Sequence, residues 1–271
     1  MNNITTAKNK PLITFFLLTF IFAMPSYILV ALASKNIILS PEMAFVFVPL
    51  ATLAPIAAAL ILTFKENGWV GAKKLLGRSF DYKRITKKIW YLPTLFLLPS
   101  LFILAWGVTV LMGQPLTDVL FPVVALPIVF VLFFIMALGE EVGWMGYAFE
   151  PMQEQWNAFK AALLLGLIWA LSHIPLLIFN IADPVLIVAQ VLSLVAIRFL
   201  IVWLFNNTGK SVFVAILFHT IYNVTISYLP VNHIISSLIL LVAAIIVIFL
   251  WGPETMAKFK FSRHESEVAL E

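Results

Sequence analysis

The sequence predicts an all-α, polytopic membrane protein of about eight transmembrane helices, with both termini in the cytoplasm. Of its 271 residues, 62% are hydrophobic and 11% charged, where soluble domains are roughly 45–50% apolar. The apolar residues gather in runs close to the ~20 residues that cross a hydrocarbon core. In lipid, such runs satisfy their backbone only as helices, and none has the ten-residue alternation of an outer-membrane barrel. Lys and Arg, 17 in all, are distributed with the bias that keeps basic loops cytoplasmic. The formal charge of +4 therefore reads as contact with anionic lipid, and no nucleic-acid partner is expected. With no Cys, disulfides, thiolate zinc sites and cysteine nucleophiles are excluded.

Eight spans follow in order: Pro11 to Ser34, Met43 to Phe64, Tyr91 to Gly113, Phe121 to Tyr147, Ala158 to Phe179, Pro184 to Phe205, Ser211 to Leu229 and Val231 to Trp251. The last two form one uncharged run, divided at the turn chemistry of Pro230, Asn232 and His233. The first is long and lacks a small-residue cleavage site, so it is expected to be a retained helix and not a signal peptide. Lys8 and Lys10 precede it. Lys65, Lys73, Lys74, Arg78, Lys83, Arg84, Lys87 and Lys88 crowd the segment 65–88, and Lys160, Lys210, Lys258, Lys260 and Arg263 fall on the same side. Only Lys35 falls outside, and Arg198 lies within a span. Trp69, Val70, Leu75, Leu76 and Phe80 interleave with the charges of 65–88, which reads as an amphipathic, solvated anchor at the lipid surface. The polar tail 252–271 completes what is expected to be a single integral membrane domain, 1–271. Asp118, Asp183, His233 and His264, at loops, turns or the tail, read as solvated.

Ionisable groups at membrane depth cost at least a few kcal/mol, so they mark function or a compensated pair. The candidates are Glu140 and Glu141 in GEEVGWMGYAFE, His173 in WALSHIP, Arg198 in VAIRFL, and His219 with Asn223 in LFHTIYN. At a rise of 1.5 Å per residue from the cytoplasmic helix ends, they lie about 10 to 22 Å deep, in one layer from four helices. A carboxylate and an imidazole on adjacent helices can share a water and aim it at a carbonyl, while a second His and an Asn amide donate to the oxyanion: amide hydrolysis. His219 and Asn223, four apart, share a helical face, as do Trp169 and His173, so the indole can wall the imidazole from lipid. As alternatives, an intramembrane His or Asn can be an interhelical strut, and a Glu pair can belong to an ion pathway.

On these residues the chain resembles the CAAX-protease and bacteriocin-processing family of intramembrane endopeptidases, also called CPBP or Abi proteins. The family's pattern is EExxxR, then an aromatic with His four later, then HxxxN or HxxxD. Here Glu140-Glu141, Trp169 with His173, and His219 with Asn223 occupy those places, and the likeness covers a core of about 130–224. The resemblance implies that Glu140 and His173 activate water and that His219 and Asn223 stabilise the oxyanion. No cofactor is then obligatory. Under an older, zinc-dependent view, Glu140, His173 and His219 are the available ligands, but there is no HExxH pair. The chain departs from the pattern at Met145, which replaces the arginine four residues after Glu141, the spacing of an intrahelical ion pair. Glu141 must then take a proton or find another cation. Arg198, at similar depth on the sixth span, is the candidate, with Glu141, Arg198 and Trp169 in supporting roles.

The expected activity is endoproteolysis of a membrane-associated substrate, a peptide or a lipidated protein, near the cytoplasmic leaflet. The resemblance extends to CAAX processing and to bacteriocin-related maturation or immunity, and the short loops fit a bacterial plasma-membrane protein. Met145 favours a second reading, a catalytically decayed scaffold or regulator. A transporter would carry paired broken helices and internal repeats, which the sequence lacks. Neither substrate identity nor oligomeric state is readable.

Overall fold

The computed structural model describes residues 2–34, 37, 40 and 44–261, and their side chains except those of 2–10, 34, 44, 45 and 180. Lys35, Arg263, His264 and the tail from residue 262 lie outside the described residues, as do the side chains of Lys8 and Lys10. The helices are α1 (Asn2–Ser34), α2 (Ala44–Thr52), α3 (Ala54–Gly77), α4 (Tyr91–Leu111), α5 (Leu126–Gly143), α6 (Phe149–Gln155), α7 (Ala158–Asn180), α8 (Pro184–Asn207), α9 (Val212–Tyr228) and α10 (His233–Trp251). Among the described residues there is no strand.

All eight predicted spans are helical where described, and among the described residues seven helical segments are long and apolar enough to cross a membrane. The eighth, α9, has 17 residues, about 26 Å at 1.5 Å per residue. The division of the last apolar run falls where turn chemistry places it: Asn232 Oδ1 caps α10 by accepting from the Ile234 and Ile235 N–H groups at 3.0 and 3.3 Å. The outward side chains are lipid-type residues such as Ile128, Val188 and Phe249. By contrast the second half of α8 is enclosed, with every residue from Ala196 to Phe205 buried. A helix that is apolar all round belongs at the centre of a bundle, and α8 lies there, packed on α7, α9 and α10.

Three backbone breaks shape the half of the bundle built from α1, α3 and α5. The second predicted span is two helices, α2 and α3, because Pro55 has no N–H to return to the carbonyl four residues earlier and the chain turns at Leu53. Gly68 breaks α3 with φ +60°, a left-handed conformation that favours glycine. Beyond it, Trp69 and Val70 stand 70% and 80% exposed while Leu75 is buried. The third break is a π-helical turn, Trp144–Ala148, directly after α5. Between α5 and the α2–α3 junction, contact is backbone to backbone. A Cβ on Gly139 would lie 2.7 Å from the Thr52 carbonyl oxygen, and one on Gly143 2.6 Å from Pro55 backbone atoms. This Gly-x-x-x-Gly stripe is the small-residue spacing that lets membrane helices approach closely.

The basic segment 65–88 is more than a solvated anchor. Arg78 donates to the carbonyls of Gly146 and Lys210 at 3.0 and 2.8 Å and pairs with Glu150 at 2.8 Å. Asp81 Oδ1 accepts from the Ser211 hydroxyl at 2.7 Å and the Phe213 N–H at 3.1 Å. It thereby caps α9 from 130 residues away, where orphan N–H groups and the helix dipole favour a carboxylate. Arg84 donates to the Gly209 carbonyl at 3.1 Å. Asp183, expected to be merely solvated, caps α8 through the Val185 N–H at 2.8 Å. Asp118 is exposed, and His233 is half-buried at the first turn of α10.

Candidate active site

The Glu pair ends α5, where GEEVG is buried along its whole length. Successive helical residues point about 100° apart, and the two carboxylates enter different environments. Glu141 meets α8 and α9. Arg198 Nη1 lies 2.7 Å from Glu141 Oε2, and His219 Nδ1 lies 2.9 Å from Glu141 Oε1. Arg198 and Glu141 are both wholly buried. The cation that Met145 does not provide therefore stands on a neighbouring helix. Met145 itself is fully buried within the π-helical turn. Gly166 of α7 makes room for the Arg198 stem, since a Cβ there would sit 3.2 Å from Arg198 Cβ.

Glu140 meets α7, accepting the indole N–H of Trp169 at Oε2. Trp169 joins the two halves of the cluster. Its ring carries the Arg198 guanidinium at 4.3 Å and lies 5.2 Å, edge to face, from the imidazoles of both His173 and His219. The cation over the ring is the arrangement that the aromatic quadrupole favours. Trp169 thus touches four of the cluster's side chains, beyond the screening from lipid expected of it.

The partners of the two histidines fix their hydrogens. His173 Nδ1 is 2.8 Å from the Trp169 carbonyl oxygen, which can only accept, so Nδ1 carries the hydrogen. In the neutral ring Nε2 is left with its lone pair. His219 Nδ1 likewise donates to Glu141, so a neutral His219 offers a base at Nε2. It becomes an oxyanion donor only as the imidazolium. That condition is invisible in the spacing of His219 and Asn223. Asn223 is half-buried, and its amide makes no hydrogen bond to the other site residues among the described contacts; its carbonyl accepts from Ser227 at 2.7 Å.

Glu140 and His173 line one cavity, with Thr19, Tyr27, Ala51, Thr52, Pro55, Trp144 and Ser172. The space open to water centres is about 10 Å³, enough for roughly one molecule. His219, Asn223 and Glu141 are not in this lining. The structure therefore joins Glu140 to His173, and Glu141 to Arg198 and His219, with Trp169 between the sets. Among the described residues no three of His, Cys, Asp and Glu gather as a metal would require. Glu140, His173 and His219, the possible zinc set, do not fit one ion. Thr19, Thr52 and Trp144 are among the wall residues that sequence reading missed, as are Tyr27 and Ser172. Thr19 and Thr52 were legible as hydroxyls inside apolar spans, and Trp144 as part of the GEEVGW segment.

Comparison with known proteins agrees with the motif reading. A family model described as Type II CAAX prenyl endopeptidase Rce1-like matches residues 122–225, the stretch that holds Glu140, Glu141, Trp169, His173, Arg198, His219 and Asn223. The chain is also similar to CAAX prenyl protease 2 of Methanococcus maripaludis, 29% identical over 216 residues, an alignment that covers 73% of this chain and 79% of that protein.

Proposed function

We propose that this chain, a member of the CAAX-protease and bacteriocin-processing family of intramembrane endopeptidases, cleaves a prenylated, CAAX-type protein or peptide within the plasma membrane by Glu140- and His173-activated water. The observation that carries the reading is the shared cavity: a carboxylate from α5 and an imidazole from α7 border a space sized for one water. The name of the Methanococcus maripaludis relative supports the prenylated substrate class.

In this mechanism the water gives one hydrogen bond to the free carboxylate oxygen of Glu140 and the other to His173 Nε2. Its oxygen attacks the scissile carbonyl carbon as the O–H bond breaks and the proton passes to Glu140. The oxyanion accepts from His219 in its imidazolium form, whose Nδ1 is held by Glu141, and from the Asn223 amide. Collapse of the tetrahedral intermediate breaks the C–N bond, and Glu140 returns the proton to the departing amine. A metal-free reaction is the reading that the scattered Glu140, His173 and His219 donors support. Met145 would favour a silent scaffold if Glu141 were left without a cation; the Arg198 pairing supports the catalytic reading.

The test uses the full chain in liposomes with a farnesylated CAAX peptide, alongside Glu140→Ala and His173→Ala, each with and without a chelator. Cleavage by the parent and a loss on the order of 10²-fold or more in both variants is expected, as for removal of a general base. Chelator should change nothing. A parent that leaves the peptide intact, or a Glu140→Ala protein that cleaves at the parent rate, overturns the proposal.

A further inference from the structure

The cavity beside Glu140 and His173 is lined by two donors that have no partner among the described residues and that the mechanism above leaves unused. Thr19 of α1 is 2% exposed and Trp144, at the start of the π-helical turn, is 1% exposed. Both line the cavity. The Thr19 hydroxyl oxygen and the Trp144 indole nitrogen have no hydrogen-bond partner among the described residues. Buried polar groups are rarely left unpaired, because each then carries an uncompensated desolvation cost, and two such groups at the wall of one water-sized space are a site for an oxygen atom. Neither is held there by chance packing alone. The π turn carries Trp144 three residues after Glu141, and the Gly139–Gly143 stripe draws the α2–α3 junction in against Thr52 and Pro55 of the wall.

Resting on the hydrolytic reading, we propose that the Thr19 hydroxyl and the Trp144 indole N–H hold the nucleophilic water in the cavity between Glu140 and His173. The water then has four partners. It gives its two hydrogens to the Glu140 carboxylate and to His173 Nε2, and accepts one each from Trp144 and Thr19. Four tetrahedral partners leave no lone pair for attack, so one donor must let go. Trp144 is a rigid ring packed among Phe15 and Phe16, whereas the Thr19 hydroxyl hydrogen rotates freely about its C–O bond. As the substrate carbonyl arrives, that hydrogen swings away and the freed lone pair faces the carbon. The wall residue from α1 thereby becomes a catalytic residue for a reaction whose other groups lie on α5, α7 and α9.

The test combines a structure of the full chain, at a resolution that shows ordered water, with cleavage kinetics of a farnesylated CAAX peptide by Thr19→Val, Thr19→Ser and Trp144→Phe. Expected is one ordered water within about 3.2 Å of Thr19 Oγ1, Trp144 Nε1 and Glu140. In kinetics, kcat should fall about tenfold in Trp144→Phe, which loses a hydrogen bond to the reacting oxygen, and in Thr19→Val, which loses the donor that seats the water before attack, with KM little changed. Thr19→Ser should restore the parent kcat. A dry cavity in the parent overturns the inference without any variant, and so does an unchanged kcat in Thr19→Val and Trp144→Phe that elute and melt as the parent does. If the parent cleaves no prenylated peptide, the proposed function fails, and the water site is judged on the density alone.

Discussion

Replacing Arg198 by Met removes a guanidinium from the most enclosed helix of the bundle and leaves Glu141 wholly buried with one partner, His219 at 2.9 Å. A neutral interhelical hydrogen bond in a membrane averages roughly 0.6 kcal/mol. Stranding a buried charge costs about 3–5 kcal/mol. The lost cation over the Trp169 ring, now 4.3 Å away, adds up to about 2 kcal/mol when desolvated. The two accounts of Arg198, neutral strut and charge partner, thus differ severalfold. The assay is denaturant titration of the purified full chain for the parent, Arg198→Met, Glu141→Gln and the double variant. Each single change should destabilise by about 3–5 kcal/mol, and the double by clearly less than their sum. A coupling energy of about 2 kcal/mol or more identifies the charge pair. Coupling at or under roughly 0.6 kcal/mol, with Arg198→Met unfolding near the parent midpoint, would refute the reasoning.

Two further perturbations probe the walls and the anchor. Gly143→Ala places a methyl carbon 2.6 Å from Pro55 backbone atoms, so the α2–α3 junction must move; stability should fall by about 1–3 kcal/mol, the usual penalty of overpacking. Gly107→Ala, with nothing within 4 Å of its new carbon, should be neutral or stabilising by up to about 1 kcal/mol in the same titration. Asp81→Ala removes the acceptor of the Ser211 hydroxyl and the Phe213 N–H. Hydrogen exchange in the first turn of α9 should speed up by a factor matching about 0.5–2 kcal/mol, while the first turn of α10, capped by Asn232, keeps the parent rate.

The spans were legible because lipid leaves an apolar run of ~20 residues only one way to satisfy its backbone. The members of the polar cluster were legible for the complementary reason, that Glu140, Glu141, His173, Arg198 and His219 are too costly at that depth to be incidental. Their pairing was only half visible. Depth along the helices matched Arg198 to Glu141 without an alignment, but the i,i+4 spacing of His219 and Asn223 says nothing of which ring nitrogen is occupied, and that nitrogen decides whether the ring can donate. The π-helical turn after Gly143 has no periodicity signal, since it shifts register by one residue within WMGYA. The Gly139–Gly143 stripe was present in the sequence as a small-residue repeat and went unread among the neighbouring carboxylates. The grip of Arg78, Asp81 and Arg84 on the α8–α9 turn was masked by composition: a run of Lys and Arg reads as solvated, and nothing local distinguishes the side chains that reach across 125 to 132 residues from those that stay in water.

Moving the cation from the same helix to α8 also changes when the bond can form. A partner four residues along α5 would be present as soon as that helix coiled, before any neighbour arrived. Arg198 stands 57 residues later, so α5 enters the bilayer during synthesis carrying an acid with no counterion. Such a segment is cheapest to insert with the acid protonated. The ion pair at Glu141 therefore waits on the docking of α8, which is made after α5.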